Sequence, residues 1–289
     1  MAIEGLTLIA EKINASIPST QKVLEAKDLG GIQEIARMQD EGGADYIDVN
    51  VGRFGGEFMA MAVKAVQEVT EKPLSIDTPD PEIARAGLEA YDAAKANGAL
   101  PILNSVSLLR LEMLEMYAVQ PFKPLLMISE REEEGGSKPN HTAEEIHATA
   151  TRIMKEVRSC GHPIGNDDCI FDPGCPSLGG DTEGMTRTLL GALERIQSNP
   201  DLAGTHVSVG LSNFTNMLPS RKKDGSPVRS PLESALLTKA MPLGLDHVIG
   251  SVKRKYRLLE PGDPALQCLE DALQLDGFDV VQRVMEFYS

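Results

Sequence analysis

The stretch PLSIDTPDP, residues 73–81, contains one complete β–α junction and is the pattern on which the fold prediction rests. A short apolar run, typical of a buried strand, ends at Asp77. Asp80 and Pro81 follow it, and these residue types are a favoured N-cap and a favoured first residue of a helix. The stretch therefore predicts a strand, a short connection and then a helix.

The same alternation of short apolar runs and longer amphipathic ones continues along the whole chain. The predicted strands are residues 6–10, 45–50, 73–78, 101–105, 123–129, 168–172, 206–213 and 245–252. Besides the helix after Pro81, the predicted helices are residues 31–42, 57–70, 108–118, 142–159, 181–197, 231–242 and 264–274. This order predicts an α/β protein with one domain, a (β/α)8 TIM barrel over residues 1–289. A doubly wound open sheet is the alternative, but no glycine-rich phosphate loop follows the first strand.

Composition excludes several classes of function. The 289 residues carry a formal net charge of −15, which disfavours binding to a nucleic-acid backbone. No window approaches the ~18 consecutive apolar residues of a membrane span. The first residues, MAIEGLTLIAEKINAS, lack the basic region of a secretory signal, so a cytoplasmic protein is expected. The cysteines show no CxxC spacing, which favours free thiols and no bound metal; they are Cys160, Cys169, Cys175 and Cys268.

Short polar side chains stand where the predicted strands end. Four strands finish on an acid or an amide, and these residues are Asp77, Asn104, Asp172 and Asn213. The first two strands add Glu11, Asp48 and Asn50. Helix capping is the alternative role, but Asp80 and Asp181 are better placed as caps. A turn before Pro-Gly remains open for Asp172. We expect the four residues to contact a ligand, because active sites of barrels lie at the carboxyl ends of the strands.

The chemistry of these side chains indicates the kind of ligand. There is no His and no nucleophilic Ser or Cys among them, so they do not form a catalytic triad. Carboxylates accept hydrogen bonds, whereas carboxamides both donate and accept them. Such a set suits a flat heterocycle with a ring N–H next to an exocyclic amino group, as in a pterin.

Two predicted connections at the same end of the strands are long, residues 130–141 and residues 214–231. The second contains a basic cluster: Arg221, Lys222, Lys223 and Arg229. This segment is either a solvated surface loop or a lid that faces an anion or a partner.

Six short motifs, in chain order, resemble those of a known family. They are AEKIN, YIDVN, SIDT, ILNS, FDPG and GLSN, and they span essentially the whole chain. They resemble the pterin-binding methyltransferases, which move a methyl group between tetrahydrofolate and a corrinoid bound to a protein. The resemblance implies a barrel like that of dihydropteroate synthase, a homodimer, and formation of 5-methyltetrahydrofolate during demethylation of glycine betaine or a methoxyaromatic. The corrinoid is expected on a partner protein, since the chain has no D-x-H-x-x-G loop.

The resemblance also assigns roles to residues. It implies that Asp77, Asn104 and Asp172 bind the pterin ring. It implies that Asn213 reaches N5 and is the catalytic residue. Framework positions around the same pocket match Glu11, Asp48 and Asn50, and Arg221 matches a basic residue of the seventh loop.

Three other functions are open at this point. Dihydropteroate synthase shares the pterin-binding acids, but its first loop resembles N-x-x-P-D-S-F and its seventh strand ends in lysine, whereas this chain has NASIPST and Asn213. A barrel lyase or isomerase could use Asp77 or Asp172 as a base, yet it would usually bring a lysine or metal ligands to the strand ends. A folate-binding protein without catalysis is the third possibility.

Overall fold

The computed structural model describes residues 3–289, and its centre is a closed barrel of eight parallel strands. The strands in chain order are β1 (Thr7–Asn14), β2 (Tyr46–Asn50), β3 (Leu74–Asp77), β4 (Ile102–Val106), β5 (Lys123–Met127), β6 (Glu130–Glu133), β7 (Gly136–Pro139), β8 (Ile170–Asp172), β9 (His206–Gly210) and β10 (His247–Gly250). Around the barrel the order is β1-β10-β9-β8-β5-β4-β3-β2, while β6 and β7 form a separate hairpin. The predicted TIM barrel is confirmed, and an open doubly wound sheet is excluded.

Helices surround the barrel. In the described residues the α-helices are α1 (Pro18–Glu25), α2 (Leu29–Glu41), α3 (Gly55–Gln67), α4 (Pro81–Ala90), α5 (Ala143–Ser159), α6 (Met185–Gln197), α7 (Arg229–Ala240), α8 (Pro264–Ala272) and α9 (Phe278–Tyr288). The segment predicted as a helix at 108–118 is a 3-10 helix, Leu111–Ala118. None of these helices is long and apolar enough to cross a membrane.

Two apolar clusters hold the architecture together. The larger one lies between the strands and the helices. The smaller one contains Ile9, Ile102, Leu125 and Ile170, all fully buried. These four residues come from β1, β4, β5 and β8 and form an apolar layer of the kind that fills a TIM barrel. Because side chains alternate along a strand, residues two positions further on point the same way.

Capping side chains fix where several helices begin. The Asp80 carboxylate accepts the backbone N–H groups of Glu82 and Ile83, so the predicted cap of α4 is confirmed. The carboxylate of Asp181 accepts the N–H groups of Met185 and Thr186 and satisfies the first turn of α6. Helix α6 therefore begins four residues later than predicted.

One hairpin and two α-helices were not predicted. The prediction of residues 130–141 as a loop was wrong, because the β6–β7 hairpin lies there. Its turn residues Glu134 and Gly135 both have positive φ, as a tight hairpin turn requires, but its charged strands do not resemble buried ones. Helix α1 was missed, and 264–274 was wrongly taken as the last helix, since α9 follows it.

Candidate active site

The carboxyl ends of the barrel strands surround a cavity of about 1010 Å³. The four residues predicted to contact a ligand all line it, and so do two of the predicted framework residues; together these are Asp77, Asn104, Asp172, Asn213, Glu11 and Asp48. Asn104 and Asp172 lie two positions beyond Ile102 and Ile170 of the apolar layer. The polar groups therefore stand directly above an apolar floor, which lowers the local dielectric around them.

Asp172 uses one carboxylate oxygen in a turn. Its Oδ1 accepts the N–H of Gly174 at 2.8 Å, whereas no residue of the described chain hydrogen-bonds to Oδ2. Gly174 has a φ of +78°, and a side chain there would also meet Ser129. Burial raises the pKa of Asp172 to about 6, although the Gly174 N–H partly offsets this effect. The residue is thus both a turn former and a carboxylate that keeps Oδ2 and the second lone pair of Oδ1 available to a ligand.

The buried Asp48 and the partly buried Asp77 form an interacting pair of acids. Burial, together with the negative charge of Asp77, raises the pKa of Asp48 well above its ordinary value. Burial also raises the pKa of Asp77, but Asn50 opposes this by donating from Nδ2 to Asp77 Oδ2 at 2.8 Å. The pKa of Asp48 is therefore raised more than that of Asp77, and Asp77 is the member of the pair that is better suited to accept a hydrogen bond from a ligand. Asn50 does not line the cavity and acts by orienting Asp77.

The turn after β9 brings Asn213 to the cavity. The hydroxyl of its neighbour Ser212 donates to the Glu11 carboxylate, which joins this turn to β1. Burial raises the pKa of Glu11, although the Ser212 hydrogen bond and the charge of Arg254 lower it. A side chain at Gly210 would come within 2.8 Å of Asn213 Nδ2, so the glycine leaves room for the amide. Asn213 itself is exposed, and within residues 3–289 its amide has no hydrogen-bond partner.

Basic side chains complete the cavity wall, and sequence reasoning did not assign most of them. They are Lys12, Arg229, Lys253 and Arg254. Arg254 Nε lies 3.3 Å from Oε2 of the buried Glu233, and Thr215 Oγ1 donates to the other oxygen of that acid. Lys253 and Arg254 belong to the basic run KRKYR, residues 253–257, and its position directly after the last predicted strand could have indicated them.

Arg221 does not line the cavity. Its Nη1 donates to the carbonyl oxygen of Gly225 at 2.6 Å, within its own loop. It lines a neighbouring surface groove instead. The geometry therefore separates Arg221 from the other residues that the resemblance assigned to the pocket.

Cysteines and metal-ligating groups lie mostly away from the cavity. All four cysteines are free thiols, and only Cys175 is part of the lining, where burial raises its pKa and keeps it neutral. The donor atoms of His206, Asp246 and His247 lie within 4.8 Å of one another at the opposite end of the barrel. Asp246 is hydrogen-bonded to both imidazoles, at 2.6 and 2.8 Å. That the chain binds no metal remains a prediction.

Comparison with known proteins agrees with this geometry. The model of the pterin binding enzyme family matches residues 11–250. A relative from Eubacterium limosum, named methylcorrinoid:tetrahydrofolate methyltransferase, is 28% identical over 252 residues, covering 84% of this chain and 84% of its own length.

Solved structures show the same fold. The 7,8-dihydropteroate synthase from Vibrio fischeri has a TM-score of 0.58 at 16% identity, covering 99% of this chain and 94% of that one. Yersinia pestis DHPS with a pterine-sulfa conjugate has a TM-score of 0.57 at 15% identity, covering 93% and 95%. Since the family model covers most of the barrel, the chain belongs to the pterin-binding enzymes.

Proposed function

We propose that this protein is a methyltransferase that moves a methyl group between a methylcorrinoid, carried by a partner protein, and N5 of tetrahydrofolate. The observation that carries the proposal is the cavity itself. It combines Asp77, Asn104 and Asp172 above an apolar floor with the free amide of Asn213 at its edge. The name of the Eubacterium limosum relative supports the same reaction.

The strand-end acids and amide would hold the pterin. Above pH 6 the Asp172 carboxylate is ionised and can accept the ring N3–H and the 2-amino group together. Asp77, oriented by Asn50, offers a second acceptor, and the Asn104 amide can satisfy a ring nitrogen or the carbonyl oxygen. These contacts fix the plane of the ring and so the direction in which N5 points.

Asn213 would act on N5 during transfer. In the direction of 5-methyltetrahydrofolate, the N5 lone pair forms a bond to the methyl carbon as the bond from carbon to cobalt breaks. The electron pair of the broken bond stays with cobalt, and N5 becomes cationic until its proton passes to solvent. The Asn213 carbonyl oxygen can accept that N–H, so it stabilises charge that develops in the transition state. In the reverse direction the Asn213 amide can rotate so that its N–H donates to the N5 lone pair, because the amide has no other hydrogen-bond partner in the described chain.

The finer parts of the proposal rest on the motif resemblance. We infer that the protein works in demethylation of glycine betaine or a methoxyaromatic, as a cytoplasmic homodimer. A separate methyltransferase would load the corrinoid. The acidic net charge of this chain is consistent with a protein that does not bind nucleic acid.

One experiment tests the reaction. Purified protein is mixed with methylcobalamin and tetrahydrofolate under reducing, anaerobic conditions, and the cobalamin spectrum is followed while 5-methyltetrahydrofolate is quantified. We expect demethylation of the cobalamin to match the folate product mole for mole. If the protein binds folate but demethylates neither methylcobalamin nor a methylated corrinoid protein, it is a folate-binding protein without methyltransferase activity. Absence of folate binding would contradict the pterin site.

A further inference from the structure

We propose that a basic groove beside the cavity binds the γ-linked oligoglutamate tail of reduced folates. The basic groove is a surface depression of about 670 Å³ whose cations are Arg221, Lys253, Arg254, Lys255 and Arg257. The inference rests on the proposed function, since it supposes that the pterin ring of a folate lies in the cavity.

The groove adjoins the cavity. Lys253 and Arg254 line both of them and form the boundary between the two. A folate with its pterin against Asp172 would therefore extend its tail towards these two cations. Beyond them the wall of the groove is formed by the loop after β9, by the first turns of α7 and by the segment after β10.

The charge of the groove opposes that of the molecule. The chain has a net charge of −15, yet five cations converge here. Within residues 3–289, Arg221, Lys253 and Lys255 form no ion pair, whereas Arg254 pairs with Glu233 and Arg257 with Asp263, both at 3.3 Å. Unpaired cations that lie together repel one another, so an anion bound among them is stabilised.

The segment that carries these cations is held in place. Ser230 Oγ of α7 donates to the Arg254 carbonyl oxygen. The backbone N–H of Arg257 donates to Ser234 Oγ, also on α7, at 3.3 Å, and the Ser251 N–H donates to Tyr256 Oη at 3.1 Å. The cations are therefore presented by a fixed backbone, which lowers the entropic cost of binding an extended ligand.

An oligoglutamate tail matches this arrangement. Each γ-linked glutamate adds one carboxylate to an extended chain that starts next to the pterin, and Arg and Lys are the natural partners of carboxylates. The cations lie next to the cavity and share Lys253 and Arg254 with it, which favours a chain that is covalently joined to the ligand in the cavity. The tail would also leave the open mouth of the cavity accessible to the corrinoid.

The test compares tetrahydrofolate monoglutamate with its pentaglutamate. Dissociation constants are measured by calorimetry at low and high salt for the wild type and for Lys255→Gln/Arg257→Gln, two positions outside the cavity. We expect the wild type to bind the pentaglutamate at least ~10-fold more tightly at low salt, with the gain shrinking as salt rises. The double variant should lose that gain and keep its affinity for the monoglutamate. Lys95→Gln/Lys138→Gln, which removes the same charge from other parts of the surface, should retain the gain.

The possible results separate this proposal from the proposed function. If the monoglutamate fails to bind, both are overturned. If it binds but the pentaglutamate binds no more tightly, only the groove proposal is overturned. A gain that persists in the double variant would likewise overturn it. If the double variant retains the gain in pentaglutamate affinity but accepts methyl groups more slowly from a corrinoid protein, the groove is a docking surface for that protein and not a site for the tail.

Discussion

Asp172 takes part in a turn and also offers its carboxylate to a ligand. One oxygen holds the turn through the Gly174 N–H, and the other has no partner among residues 3–289. Burial raises its pKa to about 6. The ionised form, which can accept two N–H groups of a pterin, is therefore lost at a pH where an exposed aspartate would still be charged.

This pKa gives a prediction for the pH dependence of folate binding. Affinity should be constant above pH 7 and should fall below about pH 6, because protonated Asp172 accepts one N–H fewer. Asp172→Asn should weaken binding at pH 7.5 by about 10- to 100-fold, as expected for a lost charged hydrogen bond, and should flatten the decline near pH 6. Calorimetry from pH 5 to 8 measures both effects. Unchanged affinity in the variant would show that Asp172 forms the turn only.

Asn213 is predicted to matter for the rate more than for binding. Asn213→Ala should reduce kcat for methyl transfer by about 10²-fold, the typical cost of a lost donor or acceptor to a transition state, and should change folate affinity only slightly. Single-turnover kinetics and calorimetry separate the two quantities. Asn216→Ala is the matched control, because Asn216 is exposed on the same turn and lines the same cavity. Equal losses of rate and affinity in Asn213→Ala would contradict the role at N5.

At the residue scale, the sequence predicts where the site residues lie better than it predicts which groups they contact. Asp77, Asn104 and Asp172 were predictable at one cavity because parallel strands end at one face of a barrel. The raised pKa of Asp48 was not, since it depends on the burial of Asp48 and on the charge of Asp77 on a neighbouring strand. Arg254 was missed because it ends a three-residue 3-10 helix, Val252–Arg254, which is too short for periodicity to indicate the direction of a side chain.

At the scale of elements, the buried amide of Asn140 helps to anchor the β6–β7 hairpin. Asn140 Nδ2 donates to the Ile128 carbonyl oxygen and to Thr149 Oγ1, both at 2.9 Å, and its Oδ1 accepts from Arg131 Nη1 at 3.0 Å. These bonds tie the end of the hairpin to β5 and α5. The sequence predicts the barrel strands from their apolar runs, but it could not predict this hairpin, whose position depends on polar contacts such as those of Asn140.

Asn140→Ala should therefore destabilise the protein. The change leaves the Ile128 carbonyl group buried without its partner, and such a loss costs about 1–3 kcal/mol, with a cavity term added. Urea unfolding followed by circular dichroism measures the difference. Ser137→Ala, on the exposed strand of the same hairpin, is the control and should change the free energy of unfolding by less than about 0.5 kcal/mol. Equal effects of the two changes would mean that Asn140 is not the anchor.

At the scale of the whole molecule, the mouth of the barrel brings together acidic side chains whose ionised forms are destabilised by burial. Burial is the largest cause that raises the pKa of each of its four acids, which are Glu11, Asp48, Asp77 and Asp172. An apolar layer lies beneath them, and few described groups donate hydrogen bonds to them. Such a site can bind a ligand that supplies hydrogen-bond donors. Without that ligand, the unsatisfied acids lower the stability of the folded protein.

This trade-off predicts that Asp172→Asn stabilises the protein in the absence of folate. The folded pKa of Asp172, about 6, lies above its ordinary value of 3.8, so the folded state binds the proton more tightly than the unfolded state. The contribution of Asp172 to stability is then fully present below about pH 4 and is lost as the pH rises through 6. Above pH 6 the ionised, desolvated carboxylate opposes folding. Asparagine avoids this cost, and its Oδ1 can still accept the Gly174 N–H.

The variant should therefore be more stable than the wild type at pH 8, by about 1–3 kcal/mol at ~1.4 kcal/mol per pKa unit, and the difference should vanish towards pH 4. Urea unfolding at pH 4.5, 6 and 8 measures it. Asp224→Asn is the control, because hydrogen bonds from Ser226 lower the pKa of that exposed acid, and its loss should not stabilise the protein at pH 8. Saturating folate should reverse the order of wild type and Asp172→Asn, since only the wild type gains the full binding free energy. A variant that is less stable at pH 8 without folate would contradict the idea that this carboxylate is held ready for a ligand at the expense of the fold.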